Sequence, residues 1–505
     1  MDTNGKRSRK YLFRVIGVAI LLATILGVNY IASLCFGQVR VADYYKYDLN
    51  RLQQENTAVD LVIVGASHVY SGCNPDVISE EMGIGEVIDC SFAVGYADGE
   101  YYMLKDTLNR FTPKYVVIDL PWHRFQENRD PAAKLGKYLS TDRMEWPGRL
   151  DYALHCFDFV DWVNLLCPMY RYGDSVWGFG QLKRNYTSRK AVEAGHWAEE
   201  SKRAYRKNGY LWSARSCPQG SIPVQESSYS QDRFSEYNVR YVRKMCKLCQ
   251  EKGIPVVLVT IPTTLEDIYG TENYQASPDY MESFAEELGC PYLNFNLLRD
   301  REEIFPDPMF KDRLHLSGEG SVIFSRIFAG AVQMALNGEN TDDLFYKNVE
   351  ELQKDVHRIV ASNGRAVPDG NGTLTVEAKS LQNEDVTPEY RLVLIDAKEA
   401  ATGAAPAGSD EEGSDAADGA GAEDAGVEGA VGSAAEDDSS AVDAAPESQD
   451  GQEIRPWQEE TTFTVSESEI PKGYVLRLEV RQKGQTEAEA YTNGLTEEFQ
   501  ISKDM

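Results

Sequence analysis

The sequence predicts an α/β domain on a buried parallel sheet, preceded by one membrane-spanning helix and followed by a small β-sandwich. Three observations carry that expectation. Apolar, β-branched runs alternate with helical patterns between residues 58 and 337. The apolar period changes to two after Asn371, and Val15 to Phe36 is a stretch without a charge. Continuous apolar runs separated by helices read as parallel strands buried on both faces, whereas alternation of period two reads as antiparallel strands with one wet face.

The N-terminal stretch comes first. Its 22 residues, 15–36, are preceded by a basic tail, 1–14, carrying Lys6, Arg7, Arg9, Lys10 and Arg14. As a helix it reaches about 33 Å, enough for a hydrocarbon core of about 30 Å. The positive flank puts the N-terminus in the cytoplasm and the bulk of the chain outside, as a single-pass protein of the cell membrane. A cleaved signal peptide would have a shorter apolar core ending at small residues, so an uncleaved anchor is the expectation.

Strands are expected at Val59–Gly65, Glu86–Cys90, Tyr115–Leu120, Pro255–Ile261 and Pro291–Phe295. Helices are expected between them at Asn74–Met82, Ala97–Phe111, Gln231–Lys252 and Asp279–Leu288, with Ser317–Leu336 closing the domain. Asp343–Ser362 reads as an amphipathic connecting helix. The connection 121–230 is far longer than a βα loop and contains helical pieces such as Arg149–Leu166, so it is an inserted subdomain. Its second half interleaves Lys183, Arg184, Arg189, Lys190, Lys202, Arg203, Arg206 and Lys207 with Trp177, Tyr186, Trp197, Tyr205, Tyr210 and Trp212. Two accounts fit this pattern: a solvated cap whose rings pack into its own core, or a surface for an anionic glycan.

The C-terminal sandwich is expected over 371–398 and 456–502, with strands such as Thr373–Ala378, Tyr390–Ile395, Thr461–Val465 and Tyr474–Val480. Between its halves lies an acidic tract, 399–455, that cannot bury enough apolar area to offset its ordering entropy. The chain has 51 Lys plus Arg against 80 Asp plus Glu, a net charge of −29. Such a balance excludes nucleic acid as a partner, because phosphates must be neutralised by cations. Of the nine cysteines, Cys246 and Cys249 form a lone C-x-x-C on a helical pattern without the second pair of ligands that zinc needs. Small apolar filler is the reading for them.

Chemistry concentrates in two places. Ser67 follows the first strand in Val62-Ile-Val-Gly65-Ala-Ser67-His68, where sites of open α/β sheets form. Lys311-Asp312-Arg-Leu-His315 precedes the last helix of the domain. Asp and His at i and i+3 on a turn can pair, which leaves the second imidazole nitrogen to take a proton from serine.

These residues resemble the SGNH, or GDSL-type, hydrolase family. Gly65-Ala-Ser67-His68 is similar to its nucleophile block, Asp312-Arg-Leu-His315 to its D-x-x-H block, and Ser91-Phe-Ala-Val-Gly95-Tyr to the block whose Gly supplies an oxyanion N–H. The resemblance covers about residues 58–337 and implies a flavodoxin-like three-layer fold. It implies Ser67, His315 and Asp312 as catalytic residues, and the N–H groups of Ser67 and Gly95 as oxyanion donors. Membrane-anchored relatives act with membrane-bound O-acyltransferases in teichoic-acid D-alanylation and alginate O-acetylation, and the late D-x-x-H makes the former branch the closer analogy. The sequence departs from the family by having His68 after the serine, and Asp119-Leu-Pro-Trp122-His123-Arg124 where an Asn donor is usual. His123 or Arg124 stands in the place of that donor. His68, Trp122, His123 and Arg124 are the candidate substrate contacts.

The expectation is therefore an esterase or O-acyltransferase that modifies a cell-envelope glycopolymer without metal or nucleotide cofactor. Its partners would be the glycan or an acyl carrier and a membrane-bound O-acyltransferase. The rival expectation is a non-catalytic assembly or scaffold protein that docks such a transferase.

Overall fold

The computed structural model describes residues 3–36, 41–93, 95–126, 133–166, 186–187, 190, 192, 203–222, 227–229, 235–398, 400, 451–493 and 495. The acidic tract 401–450 lies outside the described residues. So do Lys183, Arg184, Arg189, Lys202, Trp177 and Trp197 of the insert.

Helix α1, Thr3–Phe36, contains Leu12–Ile31, a 20-residue segment that is long and apolar enough to cross a membrane. It is the one such helix among the described residues. Helix α2, Val41–Gln54, follows, with Ala42, Tyr45, Leu49 and Leu52 buried on one face. The sequence leads to no expected element over α2, whose residues are largely polar. Its apolar positions nonetheless recur at helical spacing, and they enter the core of the next domain, which therefore begins near 41 rather than 58.

That domain is a parallel sheet of β1 (Val59–Gly65), β2 (Glu86–Ser91), β3 (Tyr115–Asp119), β4 (Val256–Thr260) and β5 (Tyr292–Asn294), in the order β2-β1-β3-β4-β5. All five are expected strands, each within a residue or two at its ends. The chain leaves β1 for β2 on one side and returns to β3 on the other, so β1 and β3 flank a topological switch point. Alternate strand residues point to opposite faces. Val62, Val64, Val116, Ile118 and Leu258 meet α5 (Ala97–Arg110), α10 (Glu236–Glu251) and α12 (Ala276–Leu288). Leu61, Ile63, Val117, Val257 and Val259 meet α4 (Pro75–Met82) and α13 (Gly318–Asn337). Cys246 and Cys249 belong to the first of these cores.

The insert supplies α6 (Trp122–Gln126), α7 (Ala133–Arg143), α8 (Trp146–Cys156) and α9 (Phe159–Leu166), then a short hairpin that pairs Arg203–Tyr205 with Leu211–Ser213. The expected Arg149–Leu166 piece is thus two helices. Asp161 caps the break, accepting from the N–H of Asp158 at 3.1 Å, while Lys137 pins it from α7 at 2.6 Å. The hairpin turn covers the open edge of β2, where the Asp89 N–H donates to the Asn208 carbonyl at 2.9 Å.

The expected helix over 343–362 is wrong for most of its length. Only α14, Val349–Asp355, is regular helix, and the β-branched Val356-His-Arg-Ile-Val-Ala361 run leads into a strand. The C-terminal unit starts there, ten residues before the expected 371, with β6 (Ala361–Pro368), β7 (Thr373–Leu381), β8 (Pro388–Asp396), β9 (Gln452–Gln458), β10 (Thr462–Ser466), β11 (Tyr474–Gln482) and β12 (Ala490–Asn493). These form two antiparallel sheets, β6-β7-β10 and β9-β8-β11-β12. Ala366, Val376, Phe463 and Val465 of the first share a core with Leu392, Leu394, Leu478 and Val480 of the second.

Candidate active site

Gly65 ends β1 and lets the chain turn at once into the short helix α3, Ser67–Gly72, so Ser67 stands just beyond the strand's carboxyl end. The D-x-x-H residues lie on a tight loop closed by the Phe310–Leu316 bridge and by the Lys311 N–H donating to the His315 carbonyl at 2.9 Å. Ser317 then caps α13, accepting from the Gly320 N–H at 3.1 Å. Packing of α13 on α3 brings the loop over the serine: Leu316 and Phe324 lie against Gly72.

The result is a continuous chain of hydrogen bonds. His315 Nε2 is 2.7 Å from Ser67 Oγ, and His315 Nδ1 is 2.8 Å and 3.0 Å from the two Asp312 oxygens. With Nδ1–H donating to the carboxylate, Nε2 is the nitrogen left to accept from the serine hydroxyl. Asp312 Oδ1 also accepts from the N–H groups of Leu314 and His315 at 2.8 Å and 2.9 Å. Burial works against ionisation of Asp312. The His315 imidazole, the Lys311 ammonium and the Leu314 N–H outweigh it and hold the carboxyl below the usual range. Ser67 and His315 are both buried.

Gly95 lies beside the nucleophile turn, where a Cβ would stand 3.0 Å from the Cβ of Ala66. His68 is buried with its ring edge-on to His315, centroids 5.2 Å apart, and its Nδ1 is 4.0 Å from Asp119 at the end of β3. His123 approaches His68 at 6.2 Å. Three imidazoles therefore line up from His315 outward.

One residue that the sequence does not single out, Asp267, helps to hold this row. Asp267, on α11 (Leu265–Gly270), faces His123 Nε2 at 3.4 Å and forms an ion pair with Arg313 of the D-x-x-H loop. Burial opposes its ionisation too, but His123 and Arg313 prevail and keep the carboxyl low. Nothing near 267 in the sequence marks it, because its partners come from distant segments. The Trp122 indole stacks on His123 at 3.9 Å, yet it is buried among Tyr229, Leu265 and Tyr274, so its place is under the site, not as an open platform. The Arg124 side chain lies outside the described residues.

Of the described part of the basic, aromatic stretch, the residues around the hairpin pack against the domain. Tyr205 and Tyr210 are buried, with hydroxyls on Asp48 and Ser321, and Trp212 lies against Gly318. Lys207 pairs with Asp76 at 2.8 Å and Glu86 at 3.0 Å. Tyr186 and Lys190 are exposed, the ammonium 4.7 Å over the ring.

No family model and no curated protein matches the chain. The Ser67, His315 and Asp312 geometry, together with the strand order, therefore carries the functional reading.

Proposed function

We propose that the protein is a membrane-anchored serine acyl-enzyme of SGNH type, an esterase or O-acyltransferase that modifies a cell-envelope glycopolymer outside the membrane. The observation that carries the proposal is the 2.7 Å contact between His315 Nε2 and Ser67 Oγ, backed by Asp312. The strand order β2-β1-β3-β4-β5 and the helices on both faces support the flavodoxin-like arrangement that the resemblance implies.

In the proposed reaction His315 Nε2 takes the Oγ proton as Ser67 attacks an acyl carbonyl. The N–H groups of Ser67 and Gly95 receive the negative charge that forms on the carbonyl oxygen. Collapse breaks the bond to the leaving alcohol, which takes the proton from His315, and the acyl group stays as an ester on Ser67. A second hydroxyl then gives its proton to His315 and attacks that ester, restoring Ser67. Water as this acceptor gives an acid, and a glycan hydroxyl gives acyl transfer. Asp312 keeps the imidazole oriented and balances its charge in both halves. The glycopolymer acceptor rests on the apolar anchor helix and the resemblance.

One observation favours the scaffold reading, in which the domain docks a membrane-bound O-acyltransferase: β3 ends at Asp119, and Leu120-Pro-Trp122-His123-Arg124 after it offer no Asn donor. Fluorophosphonate labelling of the full chain in detergent separates the two. Labelling that disappears in both Ser67→Ala and His315→Ala supports the acyl-enzyme. A folded chain that takes no label leaves the scaffold.

A further inference from the structure

Helices α8 and α9 turn an apolar face outward that the described residues leave uncovered. On α8 this face is Trp146, Leu150 and Leu154, at i, i+4 and i+8; on α9 it is Phe159, Val160 and Leu166. Leu154 is 66% exposed and Phe159 81%. The opposite faces are fixed inward, Tyr152, Ala153 and Cys156 in one helix and Asp161, Asn164 and Leu165 in the other. The buried Lys137–Asp161 pair holds α9 in that orientation. Large apolar side chains gathered on two adjoining helices mark a contact surface.

Its position decides what covers it. The Asn29 amide Nδ2 donates to the Leu166 carbonyl at 3.1 Å, joining the end of α9 to α1. Asn29 is two residues from the end of the candidate span Leu12–Ile31 and seven from the end of the apolar stretch 15–36, so the carbonyl sits about 3–10 Å in depth from the outer end of the apolar segment. A helix end at that level is at the headgroup boundary, where the apolar faces of amphipathic helices and the rings of Trp and Phe are most stable.

We propose that α8 and α9 lie in the membrane interface beside the anchor, with Trp146, Leu150, Leu154, Phe159, Val160 and Leu166 in contact with lipid. The inference rests on α1 being a membrane anchor. It makes the domain a body seated on the bilayer in one orientation, not a body swinging on a tether.

The test uses the full chain reconstituted in phosphatidylcholine/phosphatidylglycerol vesicles that contain a phospholipid with a diazirine near its headgroup. Photolysis, digestion and mass spectrometry then locate the adducts. The expected result is adducts on the peptides covering 12–31 and 146–166, with the second set lost in Leu154→Glu/Phe159→Glu while the first set and the melting temperature stay. Adducts on 12–31 alone overturn the inference and leave the anchor standing. Adducts on neither overturn the anchor itself. Cross-links from 146–166 to another protein chain in place of lipid also overturn the inference, and assign the face to a partner.

Discussion

Val69 Cγ2 occupies the space above Gly65 so closely that a Cβ on residue 65 would stand 2.3 Å from it. This close approach is what lets helix α3 start immediately at the strand end and carry Ser67 to His315. Gly65→Ala should therefore push α3 away from β1. We expect a loss of about 1–3 kcal/mol in stability, as for other overpacked core sites. Fluorophosphonate labelling of Ser67 should fall further than the change in folded fraction explains. Unchanged labelling would show that the turn tolerates a side chain and that the register of Ser67 does not depend on it.

On the proposed reaction, Ser67, His315 and Asp312 have unequal roles. Ser67→Ala should abolish labelling outright, because the bond-forming atom is gone. Asp312→Asn should slow it by about 10⁴, the cost of presenting the wrong imidazole tautomer. Stopped-time labelling with in-gel quantification measures both. Equal labelling in wild type and Asp312→Asn would remove Asp312 from the mechanism.

Asp267 ties Arg313 and His123 together from a fully buried position. Removing its charge strands two basic side chains, and breaking a buried pair typically costs about 3–5 kcal/mol. Chemical denaturation of Asp267→Ala should show a loss of that order. The loss should be smaller in the double variant Asp267→Ala/Arg313→Met, where no guanidinium is left stranded. Equal losses in the two variants would mean that Arg313 is satisfied by other groups.

The pH dependence of stability should have two limbs of opposite sign. Asp312 and Asp267 titrate lower in the native chain than in the unfolded one. Their stabilisation is complete above the unfolded value of about 4 and is lost as pH falls through their native values. Asp89, beneath the hairpin that covers β2, goes the other way. Burial pushes it up to about 8, against the pull of the Ser91 hydroxyl and Arg143. Its unfolded form ionises from about pH 4, so stability declines as pH rises from there towards 8. Asp89→Asn keeps an oxygen for the Ser91 hydroxyl and should melt higher than wild type, by a margin that grows from pH 5 to pH 8. A margin independent of pH would show that Asp89 is ionised in the folded chain across that range.

The sheet was legible because its five strands are short apolar runs bounded by polar turns, such as Val59–Gly65 and Val256–Thr260. The hydrogen-bonded chain Ser67–His315–Asp312 was legible because two of its members are three residues apart and the third follows a strand. Helix α2 escaped because Asp43, Lys46, Asp48, Asn50 and Arg51 mask four apolar positions at helical spacing, and Asp48 is buried only because Tyr205 and Asn208 satisfy it from far along the chain. Strand β9 escaped because Gln452–Gln458 is an edge strand with little burial, so polar residues suffice there. Asp267 was invisible for a stronger reason. An ion pair made across three separate segments has no signature in any one of them.

Ser67 and His315 are 248 residues apart in the chain, and the base rides on the loop before α13, the last helix of the sheet domain. A polypeptide synthesised only as far as β5 contains Ser67 but lacks both Asp312 and His315. On the proposed reaction the serine is therefore paired with its base late, when the closing helix docks on α3, and a domain cut before residue 312 would carry the hydroxyl without the His315–Asp312 pair.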